Sequence, residues 1–300
     1  RGHTGHGSAR RLTISEKAMS GRIDAHHHFW NPEEADYPWM APEALAPIRR
    51  PFGPRDMAPL IAAAGISRTV LVQTRSDMEE TCQFLAMAQE TAFIAGVVGW
   101  VDLTGPDVEG AVAELQRAPG GAFLKGIRHQ AHDEEDAGWL ARPDVIEGIA
   151  AVGRAGLAYD LLVRERELPA AIRCVDANPD VRFVLDHMAK PRIAEGAMEP
   201  WSSLMAELAA RPNVWCKVSG LVTEADWKRW GVHDLAPYVA RVIALFGSER
   251  LIFGSDWPVC LLAADYERVV LAAEELLAPL GEYGRTRVFG GNAAHVYQLV

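Results

Sequence analysis

Eight short apolar runs alternate along the chain with longer stretches whose apolar positions recur at helical spacing. The runs are 22–26 (RIDAH), 69–73 (TVLVQ), 95–100 (AGVVGW), 123–128 (FLKGIR), 158–162 (AYDLL), 182–186 (RFVLD), 214–218 (VWCKV) and 251–255 (LIFGS). They are short and nearly continuously apolar, the signature of parallel strands buried on both faces. Amphipathic stretches such as DMEETCQFLAMAQET (77–91), DVEGAVAELQRA (107–118) and ADYERVVLAAEELLAPL (264–280) supply helices between them. Eight βα units are the number that closes a (β/α)8 TIM barrel, and 300 residues suit one such domain. The competing architecture is a doubly wound open sheet, but no GxGxxG follows the first strand.

Two segments interrupt the pattern. Residues 29–68 are long, proline-rich and bear Trp and Tyr (WNPEEADYPWMAPEALAPIRRPFGP), which reads as a lid-like loop after strand 1. Residues 1–18 carry a local charge of +3 against a total of -10, and read as a tag or non-native extension ahead of a domain spanning 19–300.

Composition narrows the function. Half the residues are hydrophobic, and the net charge of -10 offers no basic patch for nucleic acid or an anionic membrane. Four widely spaced cysteines without a CxxC pair fit reduced thiols. No apolar run approaches the roughly 18 residues of a membrane span. Together these lead us to expect a cytoplasmic protein; a homo-oligomer is compatible with all of them.

In a barrel the chemistry collects at the carboxyl ends of the strands. Those ends bear His26 and His28, Gln73, Trp100, Arg128 and His129, Asp160, Asp186 and His187, Lys217 and Ser219, and Ser255 and Asp256. Strand alternation puts Asp24, His26 and His28 on one face and His27 on the other, packed outward. The same parity joins Phe183, Leu185 and His187, with Asp186 opposite, and aligns Ile252, Gly254 and Asp256. Two imidazoles two residues apart can reach one ion or one substrate oxygen, and burying both without a shared polar object is costly. Trp30, Trp100 and Trp257 can cover the apolar side of a sugar ring. Arg128 and His129 close strand 4, with Arg75, Lys190 and Arg192 further out. Lys217 either contacts substrate or pairs with a neighbouring carboxylate.

The segments IDAHHHFW, GIRH, FVLDHMAKP, WCKVSGL and LIFGSDWPVCLLAADYERVV, closed by GGNAAHVYQL, together resemble the amidohydrolase superfamily over 22–300. More narrowly, they resemble its branch of sugar-acid lactonases. The resemblance implies a distorted barrel that hydrolyses a lactone ring, with His26, His28, His187 and Asp256 at the reacting centre. Strand 5 lacks the histidine of a two-metal site, and Lys125 lies early in strand 4, so a binuclear centre is not expected. No cofactor is expected to be required, although His26, His28, His187 and Asp256 can hold one divalent ion such as zinc. In the expected reaction Asp256 is general base on water and the three histidines polarise the carbonyl.

Trp30, Gln73, Trp100, Arg128, His129, Asp160, Lys217 and Trp257 are expected around the substrate. Asp160 would repel a carboxylate, which favours a neutral sugar lactone of the L-fuconolactone type, as the likeness also implies. The rival activity is a metal-dependent non-oxidative decarboxylase of the same superfamily, and the rival class is a non-catalytic binding barrel.

Overall fold

The structure, a computed structural model, describes residues 21–299, so the extension expected at 1–18 lies outside the described residues. Eight parallel strands follow one another around the sheet in chain order. They are β1 (Arg22–His27), β2 (Ile66–Val72), β3 (Ile94–Gly99), β4 (Leu124–His129), β5 (Ala158–Leu161), β6 (Phe183–Leu185), β7 (Val214–Val218) and β8 (Leu251–Phe253). A parallel bridge between His27 and Trp257 brings the last strand back to the first, so the barrel is nearly closed.

A main helix follows each strand: α1 (Pro54–Ala63), α2 (Met78–Glu90), α3 (Val108–Arg117), α4 (Pro143–Arg154), α5 (Leu168–Ala177), α6 (Trp201–Ala209), α7 (Val232–Phe246) and α8 (Tyr266–Leu276), with shorter helical segments after β7 and β8. Local chemistry starts several of them. Asp77, Asp107 and Asp265 each accept a hydrogen bond from a backbone N–H of the first turn, which satisfies a donor the helix cannot. The stretch 29–68 is only partly loop, because α1 and the start of β2 occupy its second half. Pro54 suits the first helical turn, and Asp56 caps the amide of Gly53, so the prolines hide a helix there.

Two apolar layers result. Ile23, Ala25, Val70, Val72, Val98, Ala158, Val184 and Ile252 face the barrel interior together with Ala293, Val296, Tyr297 and Leu299 from the C-terminal segment, which covers the amino end of the strands. A larger layer fills the space between strands and helices. The carboxyl end of the barrel is left open for polar groups. Among the described residues no helix is long and apolar enough to cross a membrane. Cys174, Cys216 and Cys260 are buried free thiols and Cys82 is an exposed one.

Candidate active site

Three departures from regular strand geometry deliver side chains to the carboxyl end. In β1 the register against β2 slips between Asp24 and His27. This irregularity breaks simple alternation: Ile23 and Ala25 face inward, and so does His26. His27 packs outward as expected, its Nε2 2.8 Å from the Thr69 hydroxyl. Asp24 does not share the face of His26. It accepts from the Ser255 amide at 2.8 Å and the Tyr266 hydroxyl at 3.0 Å, tying β1 to β8 on the outer side.

At the end of β6, His187, Met188, Ala189 and Lys190 all take positive φ, between 50° and 57°. Asp186 points inward with Val184 by ordinary alternation, and the left-handed turn that begins at His187 swings that ring back over the same centre. Parity alone had set these two residues on opposite faces.

Asp256 is the third departure, with φ of 58°. Non-glycine residues in this region are strained by about 1–3 kcal/mol each, and such strain concentrates at functional sites. Two glycines make room for the arrangement. A Cβ on Gly254 would stand 2.5 Å from the Cβ of His26. One on Gly220, whose φ is +65°, would stand 2.6 Å from His187 Nδ1.

The centre so built is compact. The Asp256 carboxylate lies 3.4 Å from His28 Nε2, 3.7 Å from His26 Nε2 and 4.0 Å from His187 Nε2. His26 and His28 approach to 3.2 Å between their Nε2 atoms. Burial pushes the His187 imidazole down to about 4, against partial support from Asp256, and pushes His26 well below its ordinary value. Burial alone would raise the Asp256 carboxyl, but the imidazoles around it, His187 first, outweigh that and hold it below the usual carboxylate range. At neutral pH the centre thus holds an ionised carboxylate beside neutral His26 and His187 rings. His28 Nδ1 lies 2.8 Å from the Val72 carbonyl, which only accepts, so that nitrogen carries a proton and the ring is held with Nε2 towards Asp256.

Beneath this centre lies a polar floor. Arg128 donates through Nε and Nη2 to Gln73 Oε1 at 3.0 and 2.7 Å, and through Nη1 to Asp186 at 2.9 Å. Lys217 donates to Asp160 at 2.6 Å and forms an ion pair with Asp186 at 2.9 Å. Tyr297 donates to Asp160 at 2.7 Å. Burial raises the Asp160 carboxyl to about 6, the lysine opposing that rise. Lys217, Asp160 and Gln73 are fully buried and committed to these partners, so they support the centre from below rather than touch substrate.

Above the centre opens a cavity of about 430 Å³. His28, Arg128, His187 and Asp256 line it. The four aromatic contacts expected there do not. Trp30 donates to the Ile48 carbonyl at 3.0 Å beneath the loop after β1. Trp257 packs on Phe29 and Phe52, and Trp100 donates to His129 Nδ1 at 3.0 Å. His129 is held by Glu134 at 2.8 Å and stacks on Trp139. Arg75 and Arg192 pair with Asp77 and Glu195 outside the cavity.

The walls come instead from residues that strand-end reasoning passed over. Trp39 and Leu45 project from the loop after β1, so that loop does form one side of the opening. Gln130, His132 and Asp133 follow β4, Arg164 follows β5, and Thr223, Glu224 and Trp227 follow β7. Their signal in the sequence was only their place in the polar runs just past each strand. Lys190 and Glu224 pair at 3.0 Å across the mouth.

A single divalent ion fits this donor set. His26, His28 and Asp256 bring one ligand atom each within 4.8 Å of one another, all buried, and imidazole with carboxylate is zinc-type chemistry. A second ion has no equivalent set on β5, where Asp160 is taken by Lys217 and Tyr297. Lys125 lies at the amino end of the barrel beside Gly96 and Leu299.

Known proteins are similar to this chain in sequence and fold. The chain is 44% identical over 289 residues to an L-fucono-1,5-lactonase of Burkholderia ambifaria, covering 94% of this chain and 97% of that one. It is 39% identical to an L-fucono-1,5-lactonase of Burkholderia multivorans, over 93% of this chain and 96% of that protein. A crystal structure of an amidohydrolase from Burkholderia multivorans with bound zinc superposes with a TM-score of 0.88, at 38% identity, over 93% of this chain and 99% of that one. The profile of the family described as Amidohydrolase matches residues 23–299, and the chain belongs to that family.

Proposed function

We propose that this protein hydrolyses a sugar-acid lactone of the L-fuconolactone type to the free aldonic acid. The observation that carries this reading is an ionised carboxylate, Asp256, set within 3.4–4.0 Å of three imidazole nitrogens at the base of a cavity large enough for a sugar ring. The similarity to two L-fucono-1,5-lactonases supports the same substrate class.

The chain's own residues account for the steps. Asp256 takes a proton from a water beside it, and His28, its Nε2 3.4 Å from that carboxylate, holds the carboxylate in place. His26 and His187 polarise the lactone carbonyl as negative charge develops on its oxygen. The ring oxygen leaves as an alcohol once the proton held by Asp256 is returned to it, directly or through water. No metal is required in this scheme. A divalent ion held by His26, His28 and Asp256 would supply Lewis-acid polarisation of the carbonyl.

The charges of the pocket favour a neutral polyol lactone over a dicarboxylate. Arg128 spends its donors on Gln73 and Asp186, and Lys190 is paired with Glu224. The similarity to two L-fucono-1,5-lactonases weakens the decarboxylase alternative.

The test is acid release from L-fuconolactone by chelator-treated enzyme, beside the Asp256→Asn variant. The expected result is turnover in the first and a loss of about 10²–10⁴-fold in kcat in the second, with KM little changed. A variant that hydrolyses the lactone at the native rate would sink the assignment of Asp256.

A further inference from the structure

The cavity is lined unevenly, and the hydrolysis scheme uses neither of its upper walls. Just past Asp256 the chain forms a short helical turn, Val259–Leu262, and the Val259 and Leu262 side chains line the cavity. The loop after β1 packs against that turn and adds Trp39 and Leu45. The Trp39 indole N–H is buried, so this wall presents carbon to the opening.

After β4 and β5 the lining is different: Gln130, His132, Asp133 and Arg164, with Leu162 the apolar exception. Strands β8 and β1 meet at the His27–Trp257 bridge, half a turn around the barrel from β4 and β5. The apolar and polar walls therefore stand opposite each other, with the reacting centre between them.

An aldonolactone ring has two unlike edges. On one side of the carbonyl carbon lies the ring oxygen, followed by the carbon that bears the terminal C6 group. On the other side the ring carbons bear hydroxyls. In the scheme above the leaving ring oxygen receives its proton from Asp256, so the ring-oxygen edge lies on the β8 side. The carbon next to that oxygen then turns its substituent towards Val259 and Leu262, and the hydroxyl edge meets the polar wall. A methyl in that place gains apolar contact, whereas a hydroxymethyl is desolvated against carbon without a hydrogen-bond partner.

We propose that Val259 and Leu262, backed by Leu45 and Trp39, are specificity residues that select a lactone whose terminal carbon is a methyl over its 6-hydroxy counterpart. This rests on the lactonase reading and names the group by which the site chooses among lactones of the same ring stereochemistry.

The test uses three freshly prepared 1,5-lactones that differ only in the substituent on C5: methyl (L-fucono), hydroxymethyl (L-galactono) and hydrogen (D-arabinono). In the native chain kcat/KM is expected to favour methyl over hydrogen about 10-fold or more, the worth of one carbon in an apolar pocket. Over hydroxymethyl the preference is expected to be about 10–100-fold. Val259→Thr adds a hydroxyl at nearly constant volume, and Leu262→Asn does the same for the longer side chain. Each is expected to shrink the methyl-over-hydroxymethyl ratio about 10-fold. The loss should fall on the methyl lactone more than on the one that lacks C6, whereas general damage to the site would lower all three rates together. Gln130→Leu, on the opposite wall, is expected to slow all three alike and keep the ratio.

A native chain that hydrolyses the three equally well overturns the proposal and leaves the lactonase reading standing. A ratio that survives both Val259→Thr and Leu262→Asn, or moves only with Gln130→Leu, does the same. A native chain inert towards all three overturns the lactonase reading, and this proposal with it.

Discussion

The floor and the rim of this site use the same residue types to opposite ends. Below the imidazoles, Lys217, Asp160 and Asp186 are sealed from water, Arg128 stands at their edge on the cavity, and the four are balanced in charge and engaged by fixed partners. At the mouth, Lys190–Glu224 and His132–Asp133 are pairs with one side open to the cavity, and Arg164 is exposed. In the floor a missing partner leaves a buried charge, so the groups act as one rigid unit. In the rim water replaces a lost partner cheaply, so contacts can be exchanged for those of a substrate. The floor therefore fixes the chemistry and the rim selects what reaches it.

The sharpest way to break this contrast is Arg128→Met, which strips Asp186 and Gln73 of their donor. Breaking a buried pair in this way is expected to cost about 3–5 kcal/mol of stability, read by denaturant unfolding. A loss below 1 kcal/mol would place the floor on a par with surface pairs. Gly220→Ala probes the boundary between the layers. Its left-handed backbone alone predicts a loss of roughly 1–2 kcal/mol, and the clash with His187 predicts a fall in kcat as well. An unaffected kcat would mean that His187 is not held against Gly220 in solution.

At the rim, Glu224→Gln is expected to raise KM about 2–10-fold, the worth of one hydrogen bond, with kcat and stability unchanged. A collapse of kcat would make the rim part of the chemistry. The smallest expected effect is a flat pH profile. Burial lowers the His187 imidazole to about 4 from an ordinary 6.5, so the ring stays neutral above that range, where Asp256 is also ionised. In metal-free enzyme kcat/KM should therefore be flat above pH 7, bend near 6 only as far as the Asp160 carboxyl of the floor bears on the chemistry, and fall steeply towards pH 4. An inflection near 6.5 that survives in Asp160→Asn would show an imidazole exposed to water.

What was legible in the sequence follows the same division. Strands buried on both faces announce themselves by composition, so all eight were found, and with them the centre formed by His26, His28, His187 and Asp256. Alternation then misplaced Asp24 and, counted back from His187, Asp186, because a register slip in β1 and a left-handed turn after β6 break parity without any mark in the sequence. Gln73, Asp160 and Lys217 stood at strand ends as expected, but only packing shows that they face each other and not the cavity. The tryptophans were judged by position, and Trp30 and Trp257 are spent under the loop after β1. Rim residues such as Trp39 and Trp227 lie in irregular segments, where no period links a residue to a direction.

Tyr297 gives the floor one more property. Its hydroxyl reaches Asp160, on β5, across 137 positions of the chain. During synthesis every strand leaves the ribosome before this residue does. A nascent barrel thus carries the Asp160–Lys217 pair without its phenol cover until translation has passed residue 297. Tyr297 closes the floor from the end opposite the cavity, out of a segment that follows all eight strands in the chain.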